Sequence, residues 1–362
     1  GFSFRPQNSK AKMTADTKEE NITEDEAALY DRQIRLWGLD AQRRLRAASV
    51  LLVGLRGLGA EVAKNIVLSG IKSLTLLDPS VADEEDSMSQ FLIPRSEVGK
   101  NRAEASLERT QLLNPMVKVT ADMSNIDDKD DAFIKSFDVV CATGCGTTTL
   151  KRLDRVCREG GVKFYAGDVF GFYGFMFADL GTHEYAEEVK KPKHAEKNAT
   201  SEEEGEPSPK KAKVEEPETT TVKKSMKFPV LEDALGAKFD SSSSEGKKKL
   251  RQIPNTFFIT KVLLEFLEQQ KRRPASSSLE GDKKQLSNLR KQTLDTSGVS
   301  DNKMPEDFTE YCFGQLSPVC AVVGGILGQE IIKAVSQKDA PHNNFFFYNG
   351  TDDGGFVTSI GS

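Results

Sequence analysis

Residues 49–78 read SVLLVGLRGLGAEVAKNIVLSGIKSLTLLD. Ser49 to Val53 is a short apolar run of the length of a buried strand. Gly54-Leu55-Arg56-Gly57-Leu58-Gly59 turns the chain, a helix follows through Asn65 to Leu68, and a second strand, Ser73 to Leu77, ends at Asp78. Strand, glycine turn, helix and a strand closed by a carboxylate make the first half of a nucleotide-binding βαβ unit. The glycines depart from the dinucleotide fingerprint. Its middle glycine lets the backbone approach a pyrophosphate, and here that position is Arg56, with an extra glycine at Gly57. Asp78 could still accept from a ribose hydroxyl. The plain alternative is that Gly54, Gly57 and Gly59 only turn a strand into a helix.

The same alternation continues downstream. The patterns predict a helix near Lys100–Leu113, strands near Val117–Ala121 and Phe137–Ala142, a helix over Thr148–Glu159 and a strand at Lys163–Tyr165. That order implies an α/β fold with a doubly wound, Rossmann-like parallel sheet. Phe170, Phe172, Tyr173, Phe175 and Phe177 nearly alternate among glycines, as in a hairpin or meander. Upstream, Thr23-Glu24-Asp25-Glu26 is a capping box opening a helix that carries Leu29, Tyr30, Ile34 and Trp37 to Gly38. A second helix, capped by Asp40, runs to about Ala47. Further on, Phe257–Gln269 is an amphipathic helix, a polar stretch covers Lys271 to Lys284, and another helix lies around Leu286–Thr296. Ser317 caps a final helix through Ser336 whose Ala321, Gly324, Gly325 and Gly328 imply close packing against another backbone. Phe345–Tyr348 and Phe356–Ile360 read as strands.

The chain has 362 residues, enough for two or three folding units, with a net charge of −5 that favours neither nucleic acid nor an anionic membrane as partner. Its longest apolar stretch, Val319 to Leu327, is well short of the ~20 residues of a spanning helix. The first residues lack the apolar core of a signal peptide. Residues 1–22 read as a disordered tail, in which Met13 is a candidate start and residues 1–12 an upstream extension. From Ala186 to Lys227 there is no aromatic, leucine or isoleucine, so residues 183–227 are expected to be a disordered linker. Five scattered cysteines, Cys141, Cys145, Cys157, Cys312 and Cys320, suit a reducing compartment and read as small core hydrophobes. Cys141 and Cys145 lack the second pair of a zinc site, and three dispersed histidines add no metal site.

Tyr30-Asp31-Arg32-Gln33-Ile34-Arg35-Leu36-Trp37-Gly38, the glycine turn, Gln90-Phe91-Leu92, the stretch from Val98 (VGKNRAEASLER) and the C-terminal run from Ser317 carry a resemblance. Together they resemble the ubiquitin-like-protein activating enzymes, adenylating proteins of the ThiF type. More narrowly, they are similar to the smaller, regulatory subunits of the heterodimeric kind that activates SUMO. The resemblance implies a pseudo-adenylation domain built from residues 23–182 and 309–362, with 228–308 as a small inserted helical domain. Working members carry S-N-L-N-R-Q-F-L where this chain has Glu85-Asp86-Ser87-Met88-Ser89-Gln90-Phe91-Leu92, and A-L-D-N where it has Ala142-Thr143-Gly144-Cys145. These departures imply a degenerate pocket at Gly54, Gly57, Gly59 and Asp78. No cysteine lies between Cys157 and Cys312, where such enzymes hold the acceptor thiol, so no thioester is expected on this chain.

What the resemblance retains is Arg32. In the family this arginine reaches across the dimer to the triphosphate held by the other subunit, with Arg35 a weaker second candidate. The plainer reading is a solvated arginine on a helix surface, since its helical neighbours Ala28, Leu29, Arg35 and Leu36 offer no acid. The implied activity is that of an obligate subunit, inactive when isolated, paired with the catalytic subunit that binds ATP and Mg2+ and acts on SUMO, and working indirectly with the SUMO-conjugating enzyme. Lys210, Lys211 and Lys213 are a nuclear-import candidate, and a nuclear location is expected. The rivals are a regulatory subunit for another ubiquitin-like modifier, a nicotinamide-dependent oxidoreductase and an inert scaffold.

Overall fold

The computed structural model describes residues 23–190, 219–239 and 243–361. The N-terminal tail with Met13 and the import candidate Lys210, Lys211 and Lys213 lie outside the described residues.

The described residues open with three helices: α1 (Glu24–Leu29), α2 (Asp31–Trp37) and α3 (Leu39–Ala47). The βαβ unit follows as β1 (Ser49–Val53), α4 (Gly57–Leu68) and β2 (Ser73–Leu77). Then come α5 (Asp86–Ser89), α6 (Arg102–Leu113), β3 (Lys118–Asp122), α7 (Asp131–Lys135), β4 (Val139–Thr143), α8 (Thr147–Gly160) and β5 (Lys163–Phe170). The strands β6 (Tyr173–Asp179), β7 (Thr182–Lys190) and β8 (Thr219–Lys227) precede four helices: α9 (Leu231–Gly236), α10 (Ser244–Gln252), α11 (Asn255–Gln270) and α12 (Leu279–Ser297). The described chain closes with α13 (Ser317–Ser336), β9 (Phe345–Asn349) and β10 (Gly354–Thr358).

Eight strands form one sheet in the order β10-β9-β6-β5-β4-β1-β2-β3. β1 to β5 are parallel, and β6, β9 and β10 extend the sheet antiparallel beyond β5. Period-2 alternation divides the side chains between two cores. Val50, Leu52, Tyr165 and Phe346 meet α3, α4, α6 and α13 on one face. Leu51, Val53, Phe164, Phe345 and Phe347 meet α8, α9, α11 and α12 on the other. Helix α11 is apolar nearly all round because it sits between the sheet and α12; Phe257 lies 6.0 Å, ring to ring, from both Phe345 and Phe347. Buried residues of the segment expected as a small inserted helical domain, 228–308, lie in one cluster with those of the sheet.

Several local expectations change. Thr23 and Glu26 form the capping box, but the first helix breaks at Tyr30, which caps both α1 and α2. Gly38, at φ +91°, precedes α3, so Asp40 sits in that helix's first turn rather than at its cap. Leu316, not Ser317, is the cap of α13. The expected linker is structured at both ends, where β7 and β8 pair in register from Thr182↔Lys227 to Lys190↔Thr219. Buried His183 and Tyr185 root that ribbon, Ala186 bonds to the segment after α13, and cross-strand pairs such as Lys224–Glu187 (2.6 Å) tie its strands.

Helix α13 is long and apolar enough to cross a membrane by length and composition, with a mean hydropathy of 1.5, but 67% of that window is buried inside the protein. It packs against α4. A Cβ at Gly324 would come within 2.5 Å of Glu61 Cβ, and one at Gly328 within 2.7 Å of Asn65 Cβ, whereas Gly325 faces open space and Ala321 is exposed. Gly328→Val is therefore expected to lower stability by about 1–3 kcal/mol through overpacking, while Gly325→Ala raises it by roughly 0.5–1 kcal/mol through higher helix propensity. Chemical denaturation of the two variants checks this contrast, and equal effects would refute it.

Candidate functional site

The parallel strand order reverses around β1, and a cleft of about 620 Å3 opens at the carboxyl ends of β1, β2 and β4. Open α/β sheets hold ligands at this place. The glycine turn forms as read, but its space is filled by the protein. Gly54 has φ +82°, and a Cβ there would overlap the Thr143 carbonyl oxygen; Thr143 Oγ1 also donates to the Gly54 carbonyl at 2.8 Å. A Cβ at Gly57 would come within 2.7 Å of Ser89 Cβ, and at Gly59 it would overlap the Gly54 carbonyl. The first and third glycines serve strand–helix packing, and Gly57 admits α5.

Asp78 is equally committed. Its Oδ2 accepts from the Leu55 amide at 2.8 Å, its Oδ1 accepts from the Ser80 amide at 2.9 Å, and Arg102 donates to both oxygens at 3.3 and 3.4 Å. Both oxygens are already partnered, which disfavours the ribose role expected of a dehydrogenase. Arg102, 3% exposed, also grips Asp86 through Nε and Nη2 at 3.0 and 2.9 Å. Arg56 donates to Asp83 at 3.1 Å. Asp83 and Asp86 thus neutralise two arginines that could have held a triphosphate.

The far wall comes from the end of α11 and the residues after it. Glu268 seats its carboxylate at the N-terminus of α8, accepting from the Thr148 amide at 3.2 Å and from Thr148 Oγ1 at 3.0 Å. Helix N-termini attract anions through orphan amides and the macrodipole, and here a side chain of the same chain occupies that end. The Lys271 ammonium at 2.7 Å, with the Thr148 donors, holds the Glu268 carboxyl below the usual range. Arg272 pairs with Asp282 at 2.6 and 2.7 Å, and Arg273 pairs with Asp168 at 2.8 Å while lying over the Phe170 ring. Sequence reading passed over these four residues. The tandem Arg272-Arg273 directly after a buried helix was the available signal, but its partners lie on α12 and β5 and cannot be found by spacing.

No trio of ligating side chains among the described residues could hold a metal ion. Cys141, Cys157, Cys312 and Cys320 are buried, Cys145 lines the cleft, and burial pushes all five thiols up, away from the reactive thiolate.

Arg32 is apart from the residues that line this cleft. It is exposed on α2 and makes no hydrogen bond or ion pair among the described residues. Arg35 is tied instead to Asp31, at 3.0 Å.

Residues 30–359 match the model of the ThiF family. The chain is 52% identical over 341 residues to SUMO-activating enzyme subunit 1 of Xenopus tropicalis, spanning 94% of this chain and 97% of that protein. It is 49% identical over 340 residues to the Homo sapiens protein of the same name, covering 94% and 96% of the two chains. With the Danio rerio protein of that name it shares 48% over 349 residues, covering 96% and 99%. The glycine-turned βαβ unit, the parallel sheet and these matches agree: the chain belongs to the ThiF family.

Proposed function

We propose that this chain is the non-thioester-forming subunit of a SUMO-activating enzyme. About half of its residues are identical to proteins named SUMO-activating enzyme subunit 1, nearly end to end. Its own cleft does not fit Mg-ATP, because its arginines are neutralised internally and Gly144 stands where a carboxylate would be needed. ATP and Mg2+ are accordingly assigned to a catalytic partner of similar fold, on which the SUMO C-terminal carboxylate is adenylated and then passed to a cysteine. Leu36, Leu39, Met88 and Val322 are each exposed, and apolar side chains of this kind are available to a partner.

The observation that carries the reading is the contrast between two sets of arginines. Arg56, Arg102, Arg272 and Arg273 are all paired within the chain, and Arg32 is left unpaired on an exposed helix. A guanidinium in that position can neutralise the charge that develops as pyrophosphate departs, and its planar fork suits phosphate oxygens. A nuclear location through Lys210, Lys211 and Lys213 belongs to the same proposal.

Co-purification with candidate catalytic subunits, followed by ATP–pyrophosphate exchange with each modifier, tests it. We expect no exchange by this chain alone and full exchange only with the SUMO-specific partner. Productive pairing with another modifier's subunit would favour the main alternative, and turnover by the isolated chain would overturn the assignment.

A further inference from the structure

Helix α2, which carries Arg32, has no core of its own, since none of its residues is buried. Trp37 packs half-buried against the core, and the polar side chains that hold the rest converge on one corner: the end of α4 and the turn after it, residues 67–70. Gln33 Nε2 donates to the Leu68 carbonyl at 3.0 Å, and Gln42 Nε2 donates to the Ser69 carbonyl at 3.0 Å. Asn114 Nδ2 donates both to the Val67 carbonyl at 3.0 Å and to the Tyr30 hydroxyl at 2.8 Å. The Tyr30 ring lies against Gly70, where an added Cβ would come within 2.5 Å of the ring carbon Cζ. At the other end of α2, Trp37 Nε1 donates to Gln42 Oε1 at 3.1 Å and so joins the same network.

The last carbonyls of any α-helix lack partners inside it and must find them elsewhere. Here Val67, Leu68 and Ser69 are answered by amide side chains from three separate segments, two of which flank or carry Arg32. Gly70 leaves the one space into which Tyr30 fits. We infer that this corner is the seat that fixes Arg32, with Tyr30 and Gln33 as positioning residues for its action in trans. The inference rests on the reading of Arg32 given above. An exposed arginine on an unanchored helix would sample many positions, whereas a misplacement of ~1 Å at a reacting phosphate can cost about 10²-fold in rate.

Gln33→Met tests the seat, because it removes the donor and keeps the side chain's length on a part-exposed position. In the isolated chain, hydrogen exchange of the amides of residues 31–37 should quicken about fivefold, the effect of one lost hydrogen bond, with the melting transition unmoved. In the reconstituted pair, kcat for pyrophosphate exchange should fall roughly tenfold with KM for ATP and SUMO held within about twofold. Gln33→Lys, which restores a donor, should recover most of the loss. In an Arg32→Ala background, Gln33→Met should add nothing further. Unchanged amide exchange in Gln33→Met would overturn the seat by itself. An equal loss of rate with and without Arg32 would overturn the link between them. A silent Arg32→Ala variant would instead sink the trans-acting reading, and the catalytic half of this inference with it.

Discussion

Arg32→Ala is expected to slow ATP–pyrophosphate exchange by the reconstituted pair by about 10²- to 10³-fold, without shifting the melting temperature of this chain. The stability half follows from exposure. Arg32 makes no hydrogen bond or ion pair among the described residues, and it is exposed on α2. The rate half follows from where a guanidinium acts. It matters only as charge builds on the departing pyrophosphate, so kcat should drop more than KM rises. Arg32→Lys should recover a minor part, since an ammonium is a point charge and cannot bridge two phosphate oxygens. The measurement is steady-state exchange with both subunits present. An unchanged rate would leave the chain as a scaffold.

The second large effect is on stability. Arg102→Met should cost about 3–5 kcal/mol in urea denaturation, because it strips the cation from two carboxylates that stay buried. Asp78 and Asp86 are only 4% and 2% exposed, and neither can turn outward without breaking the bonds to Leu55, Ser80 or Asp83. Adding Asp86→Asn to Arg102→Met should restore part of the loss by removing one stranded charge. A single-variant loss below about 1 kcal/mol would mean that water reaches this cluster and screens it. The two arginines make a useful pair: the exposed one is expected to govern rate alone, and the buried one to govern folding.

Much of the fold was legible from residues 49–78, because a buried parallel strand needs an unbroken apolar run and Gly54 and Asp78 fall where such strands end. The hairpin or meander around Phe170–Phe177 and the helix at 257–269 were legible too, since aromatic and aliphatic spacing encodes burial, but the full extent of β5 and β6 and the burial of α11 on more than one face were not. What escaped was tertiary. The break at Tyr30 is invisible in a continuous helical pattern, because its cause is the vacancy beside Gly70, forty residues on. The strands at 182–190 and 219–227 carry few apolar side chains, so a composition test for burial returns disorder, although His183 and Tyr185 are buried and Ala186 bonds to the segment after α13. At the cleft, single positions such as Arg56 and Gly144 were readable one by one. The positive content of the site was not: Arg102 across two acids, Glu268 at the end of α8 and Arg273 on Asp168 each join segments that spacing cannot connect.

The β7–β8 ribbon has one more implication. Lys190 and Thr219 face each other across its last rung, so the two ends that bound the 28 intervening positions are adjacent. Closing a longer excursion between adjacent ends costs little, roughly 0.6 kcal/mol for each doubling of its length. A change of length between those anchors is therefore expected to leave the Thr182↔Lys227 to Lys190↔Thr219 register in place. Splicing a two-residue turn across the gap would detach any address carried there from the enzyme chemistry, letting each be altered on its own.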